Sequence, residues 1–186
     1  MYERRPYEIC SLEGCEITAE ELVSGSRNDE IAARIRSIID AESPIQRPLL
    51  LKRLINSIGL QKVGSLMEEY FDQFLPSLDL PETVEAGIQV YWKEGQQLDF
   101  FRFSKSDYRY SYQIPVSEAV LALLEVLSLQ EKTMTRKALL EAFSSQLGYL
   151  KKGSQVVALF DEALRMGTAD GRICQTANYR YRIGKI

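Results

Sequence analysis

The chain has 186 residues, 45% hydrophobic and 26% charged, with a formal net charge of -3 and a pI near 5.2, a composition that allows one core or two small ones and argues against a strongly basic nucleic-acid binder. No apolar run approaches the roughly 18 residues of a membrane-spanning helix, and the opening MYERRPY lacks the apolar stretch of a signal peptide, so a cytoplasmic protein without membrane contact is expected. Histidine is absent, which removes the commonest general base, the Ser/His and Cys/His pairs and most transition-metal sites; no cofactor, no metal and no enzymatic activity is expected.

Residues 1–29 read as an N-terminal arm, aperiodic except for a short helix over 18–23 and a loop-like stretch over 24–28. Residues 30–95 then show three amphipathic helical patterns. Ile31, Ile35, Ile38 and Ile39 mark the first, with Asn28 as its N-cap; Leu50, Leu51, Leu54, Ile55 and Ile58 mark the second; Met67, Tyr70, Phe71, Phe74 and Leu75 mark the third. Gly59 stands where the second helix must end, a position that favours a left-handed residue. A two-residue period follows over 83–86 and 88–92, with a turn near Gly87, which predicts a β-hairpin.

Residues 96–115 form a linker rich in aromatic and basic side chains: Phe100, Phe101, Phe103, Tyr108, Tyr110 and Tyr112 beside Arg102, Lys105 and Arg109. At least one strand is expected there. Packing between the two flanking units is the favoured role for the aromatics, with stacking on single-stranded bases as the alternative. Residues 116–186 repeat the earlier order: three helical patterns, then a hairpin in which Tyr179, Tyr181 and Ile183 face one way and Arg180 and Arg182 the other.

The second unit is a copy of the first. Ile58-Gly59-Leu60-Gln61-Lys62-Val63-Gly64-Ser65 aligns with Leu147-Gly148-Tyr149-Leu150-Lys151-Lys152-Gly153-Ser154 at an offset of 89, and the register holds without a gap from Arg47 and Arg136 to Leu75 and Leu164. Three helices followed by a hairpin is the order of a winged helix. The expected fold is therefore mainly α within an α+β class: two tandem winged-helix units joined by an ordered linker.

Several stretches, Glu42-Ser43-Pro44-Ile45-Gln46, Gly59 to Gly64, Val90-Tyr91-Trp92, Phe101-Arg102 and Ile114-Pro115, resemble the uncharacterised C-terminal domain of large bacterial helicase-like proteins of superfamily one. The resemblance is closest over residues 30–115. It implies an accessory domain at the end of a nucleic-acid motor, with a helicase-like protein as partner or as the remainder of the chain. This sequence has Ser43-Pro44-Ile45-Gln46 where the family pattern has Gly-Pro-Ile-His, and Lys62 in place of an arginine, so no polar or basic site is carried over.

Candidate catalytic features fall away on inspection. Gly148 and Gly153 have P-loop spacing, but the Lys-Ser/Thr that must follow the second glycine is absent. Glu20-Glu21, Glu68-Glu69 and Asp161-Glu162 are adjacent on helices and diverge rather than converge. Cys10 and Cys15 lack C-x-x-C spacing, and with Cys174 they are expected as reduced thiols.

Charge separates the copies. Residues 30–95 carry seven basic and ten acidic residues; residues 116–186 carry ten basic and seven acidic. The second copy is thus the better placed for phosphate, with Lys151, Lys152, Ser154 and Gln155 at the start of its third helix and Arg172, Arg180 and Arg182 on its wing. The leading expectation is a non-enzymatic module binding DNA or RNA; the alternative is a protein-interaction or self-association adaptor.

Overall fold

The computed structural model describes residues 2–104, 109–130 and 132–184; Lys105 and Tyr108 of the aromatic stretch lie outside them. The architecture is mixed α+β, with seven α-helices and small sheets among the described residues. The chain divides into two compact units, Glu8–Gln96 and Met1–Tyr7 with Gln97–Ile186.

That division redraws two expected segments. The first 29 residues are not an arm. β1 (Glu3–Pro6) pairs in parallel with a strand of the second unit, while Ile17 and Leu22 are buried in the first. Thr18 caps α1 (Ala19–Val23) through a reciprocal bond pair with Glu21, satisfying two donors at the helix start. Nor is 96–115 a linker: from Gln97 onward it is part of the second unit.

In the first unit, α2 (Asn28–Glu42) leads to β2 (Ile45–Gln46), α3 (Arg47–Ser57), α4 (Ser65–Ser77) and the hairpin β3 (Glu82–Glu85) and β4 (Ile88–Tyr91). The sheet is antiparallel in the order β2-β4-β3. Apolar residues at helical spacing meet in the core: Ile31, Ile35 and Ile38 from α2, Leu50 and Leu54 from α3, Phe71 from α4. Asn28 is not the N-cap of α2. It is the first helical residue, after Arg27, and its Oδ1 accepts from the Tyr70 hydroxyl at 2.6 Å.

The second unit adds β5 (Phe100–Phe103), the partner of β1, and a 3₁₀ turn over Ser111–Gln113. It continues with α5 (Val116–Ser128), β6 (Met134–Thr135), α6 (Arg136–Gln146), α7 (Ser154–Ala169), β7 (Ile173–Gln175) and β8 (Arg180–Ile183), the sheet running β6-β8-β7. α5 is buried along nearly its whole length because α6, α7, β5 and β8 surround it. Of the expected wing face, Tyr181 and Ile183 stand two apart in β8, the first buried and the second exposed at the strand end, whereas Tyr179 lies before the strand, in the turn, with φ 53 and 77% exposure.

The repeat is visible in particulars. α3 and α6 span equivalent residues, α4 and α7 start at equivalent serines, and the ion pair Arg47–Asp72 has its counterpart in Arg136–Asp161. After each middle helix the glycine is left-handed, φ 81 at Gly59 and φ 85 at Gly148, and the next N–H reaches back, Leu60 to the Ile55 carbonyl and Tyr149 to that of Ser144. The copies differ at these glycines in one respect. A Cβ on Gly148 would lie 2.6 Å from the Ser104 carbonyl oxygen, whereas on Gly59 the nearest atoms are at 3.9 Å. Gly59→Ala is therefore expected to destabilise by about 1 kcal/mol, and Gly148→Ala by roughly 2 kcal/mol or more, in urea unfolding. Equal losses would show that the Ser104 approach carries no energetic weight.

Candidate nucleic-acid interface

The turn between α6 and α7 is built by its ends. Leu147 closes α6, left-handed Gly148 reverses the chain, and extended Gly153 delivers it into α7 without a side-chain cap. The Val156 N–H turns back to the Gly153 carbonyl at 3.0 Å, which leaves the N–H groups of Ser154 and Gln155 for other acceptors, and no acidic residue stands in that turn. Lys151, Lys152, Ser154 and Gln155 are all exposed there. Lys152 reaches Glu141 at 3.3 Å, while Lys151 makes no hydrogen bond or ion pair among the described residues. Tyr149 anchors the turn from beneath: its hydroxyl donates to the Arg109 carbonyl at 3.0 Å, and burial pushes that hydroxyl's pKa up. A helix leads into this turn, where a P-loop requires a strand.

The wing arginines are placed elsewhere. Arg172 follows the C-terminal end of α7 and is paired with Asp170 at 2.5 Å. Arg180 is turned onto Thr133, with Nε 2.8 Å from its hydroxyl. Arg182 is exposed on β8, donating to its neighbour's carbonyl. Gln175 and Tyr181 of the hairpin border the same depression as Leu164 and Thr168, in the C-terminal half of α7. With a rise of about 1.5 Å per residue, the wing and the lysine turn are separated by on the order of 15 Å along α7. The seven candidate residues form two groups; in the lysine turn Lys152 is paired with Glu141 and Lys151 is not, and the first turn of α7 itself holds no acidic residue. Further along, the solvent face of α7 carries Asp161 and Glu162, each paired with an arginine.

Two features escaped the sequence reading. The first is Arg4, brought to the turn by the β1–β5 pairing. Its Nε donates to the Gln146 carbonyl at 2.8 Å, its guanidinium lies 4.0 Å over the Phe103 ring, and it has no carboxylate partner among the described residues. A local signal was absent, because the strand ERRP is exposed throughout and has no alternation.

The second is a buried charge cluster. Glu118, fully buried at the start of α5, accepts from Arg102 Nη2 at 2.7 Å and from both terminal nitrogens of Arg109 at 2.8 Å. Tyr7 covers the Arg109 guanidinium at 4.2 Å. Burial alone would raise the Glu118 carboxyl; the two guanidinium charges and their hydrogen bonds more than reverse that and lower it to about 2. This cluster holds β5 and residue 109 against α5, and so fixes the carbonyl that Tyr149 grips. Phe101 is consumed by the core of the same unit, and Tyr110 and Tyr112 stand half-exposed on its surface.

Other chemistry is sparse. All three cysteines are free thiols. No group of three or more metal-ligating side chains occurs among the described residues, and no described helix is long and apolar enough to cross a membrane.

Residues 20–69 match a family described as "Protein of unknown function (DUF3320)", a stretch running from α1 into α4. No curated protein and no solved structure matches the chain.

Proposed function

We propose that the chain is a non-enzymatic nucleic-acid-binding accessory module, built from two winged-helix units and working with, or as part of, a helicase-like protein. The winged-helix reading is supported by the element order of each unit: a helix, a short strand, two helices across a tight turn, and a hairpin whose second strand pairs with the short one. Association with a motor rests on the resemblance drawn from the sequence.

One observation carries nucleic-acid binding: the first turn of α7 has no side-chain cap and no acidic residue and is preceded by Lys151 and Lys152, which suits phosphate. Its counterpart α4 has Glu68 in the first turn. There an apolar depression of about 450 Å³, bordered by Val23, Leu66 and Met67, favours a second role for the first unit in binding protein. On this reading the copies divide the work.

Binding of labelled DNA measured against salt tests the proposal. Affinity should fall steeply as salt rises, and Lys151→Glu with Lys152→Glu should weaken binding about ten-fold or more and flatten the log–log salt slope by about two. Arg180→Glu with Arg182→Glu should do less, because Arg180 is already held by Thr133. Absence of DNA or RNA binding at low salt, or an unchanged lysine variant, would sink it.

A further inference from the structure

Tyr110 and Tyr112 form a parallel pair, ring centroids 5.5 Å apart and planes 6° from coplanar, each about half exposed at 50% and 52%. Their alternation with buried residues explains the exposure. Arg109 is locked on Glu118, and Ser111 and Gln113 are turned inward. The backbone between them is tied by Tyr110 N–H to Gln113 Oε1 and Gln113 N–H to the Tyr110 carbonyl, both at 2.9 Å. The rings therefore stand on a rigid base, so a ligand that stacks on them meets a surface already ordered.

This platform adjoins the basic turn. Tyr149 spans the two, its hydroxyl on the carbonyl of Arg109, one residue before Tyr110, and its backbone two residues before Lys151. Cα atoms are about 3.8 Å apart per residue, so only the length of one tyrosine side chain and a few residues separates them, a distance that a few nucleotides bridge. Arg4 also reaches the turn, on the Gln146 carbonyl.

We infer that the ligand of this surface is single-stranded nucleic acid, its bases stacking on Tyr110 and Tyr112 while its phosphates meet Arg4, Lys151 and Lys152; the inference rests on the nucleic-acid reading above. Two physical arguments select a single strand over a duplex. Bases inside a duplex are stacked on each other and offer no free faces to a tyrosine, whereas an unpaired base does. And a duplex groove receiving α7 along its length would meet Asp161 and Glu162 beyond the first turn, while a strand confined to the turn and the platform avoids both.

The test compares a single-stranded oligonucleotide with its duplex, using the full chain and three double variants: Tyr110→Ala with Tyr112→Ala, Tyr110→Phe with Tyr112→Phe, and Lys151→Glu with Lys152→Glu. The single strand is expected to bind more tightly. The alanine pair should lose about ten-fold or more in single-strand affinity with the salt slope unchanged, and the phenylalanine pair should keep it, because the ring faces and not the hydroxyls do the stacking. Circular dichroism should show both tyrosine variants folded, the rings being on the surface. Duplex binding equal to or tighter than single-strand binding, or an alanine pair that binds like the wild type while the lysine variant fails, would overturn the inference and leave the nucleic-acid reading standing. No binding of either form would remove both.

Discussion

Glu118→Ala is expected to destabilise the second unit by about 3–5 kcal/mol, because it leaves two buried guanidinium groups facing each other without their shared carboxylate. Arg102 and Arg109 both pair with Glu118, at 2.7 and 2.8 Å. Removing it strands the positive charge in a site where water does not reach. Glu118→Gln preserves the shape but not the charge, and should recover only part of the loss. Acid titration adds a signature. The native carboxyl titrates at about 2 and the ordinary value is 4.5, so above the ordinary value the contribution is fully present. As pH falls from there the unfolded chain takes up the proton first, and stability is lost progressively until the native group also protonates near pH 2. Urea unfolding should show the wild type weakening across that window more steeply than Glu118→Gln. Parallel pH profiles would contradict this assignment.

Phe71→Ala and Phe160→Ala should each remove about 3–5 kcal/mol from their own unit, since both rings are fully buried and a cavity of that size relaxes only in part. The two phenylalanines are equivalent in the repeat, but their surroundings differ. Phe160 packs edge-on to Phe143 at 5.5 Å and carries the Arg136 guanidinium at 5.3 Å, whereas Phe71 meets the partly buried Tyr70 at 5.1 Å. Phe160→Ala should therefore be the more damaging. The buried cluster from Phe101 to Tyr181 draws on the second unit alone, so hydrogen exchange should show protection lost in α5, α6 and α7 for Phe160→Ala and in α2, α3 and α4 for Phe71→Ala. Equal loss across all six helices in either variant would show a single cooperative core.

Helix existence was legible because it is a local property: isoleucines and leucines at helical spacing need a buried face whatever packs on it. The glycine turns were legible for a similar reason, since a left-handed backbone at the end of a helix selects glycine from its own sterics. Asn28 shows where local reasoning fails. Its type suits an N-cap, yet a tertiary partner, the Tyr70 hydroxyl, takes its side chain. The aromatic stretch shows it again. Phe101, Arg102 and Tyr110 look alike as a cluster in sequence, but burial by α5, pairing with Glu118 and exposure beside Tyr112 give them three different roles.

The candidate site divides along the same line. Counts of lysine and arginine pointed to the second copy, and the turn residues Lys151, Lys152, Ser154 and Gln155 do lie together because they fall within five residues of one another. Charge counts contain no distances, however, and only the fold decided that Arg172 and Arg180 sit toward the far end of α7 with partners of their own.

By itself the sequence determined the duplicated helical plan, its turns and its hairpins, all set by periodicity and backbone sterics within a few residues. The tertiary structure alone decided that Glu3–Pro6 pairs with Phe100–Phe103, that Glu118 gathers two arginines, and that Arg4, the lysine turn and the tyrosine pair belong to one unit. Those relations depend on contacts between residues far apart in the chain, where neither propensity nor pattern leaves a mark.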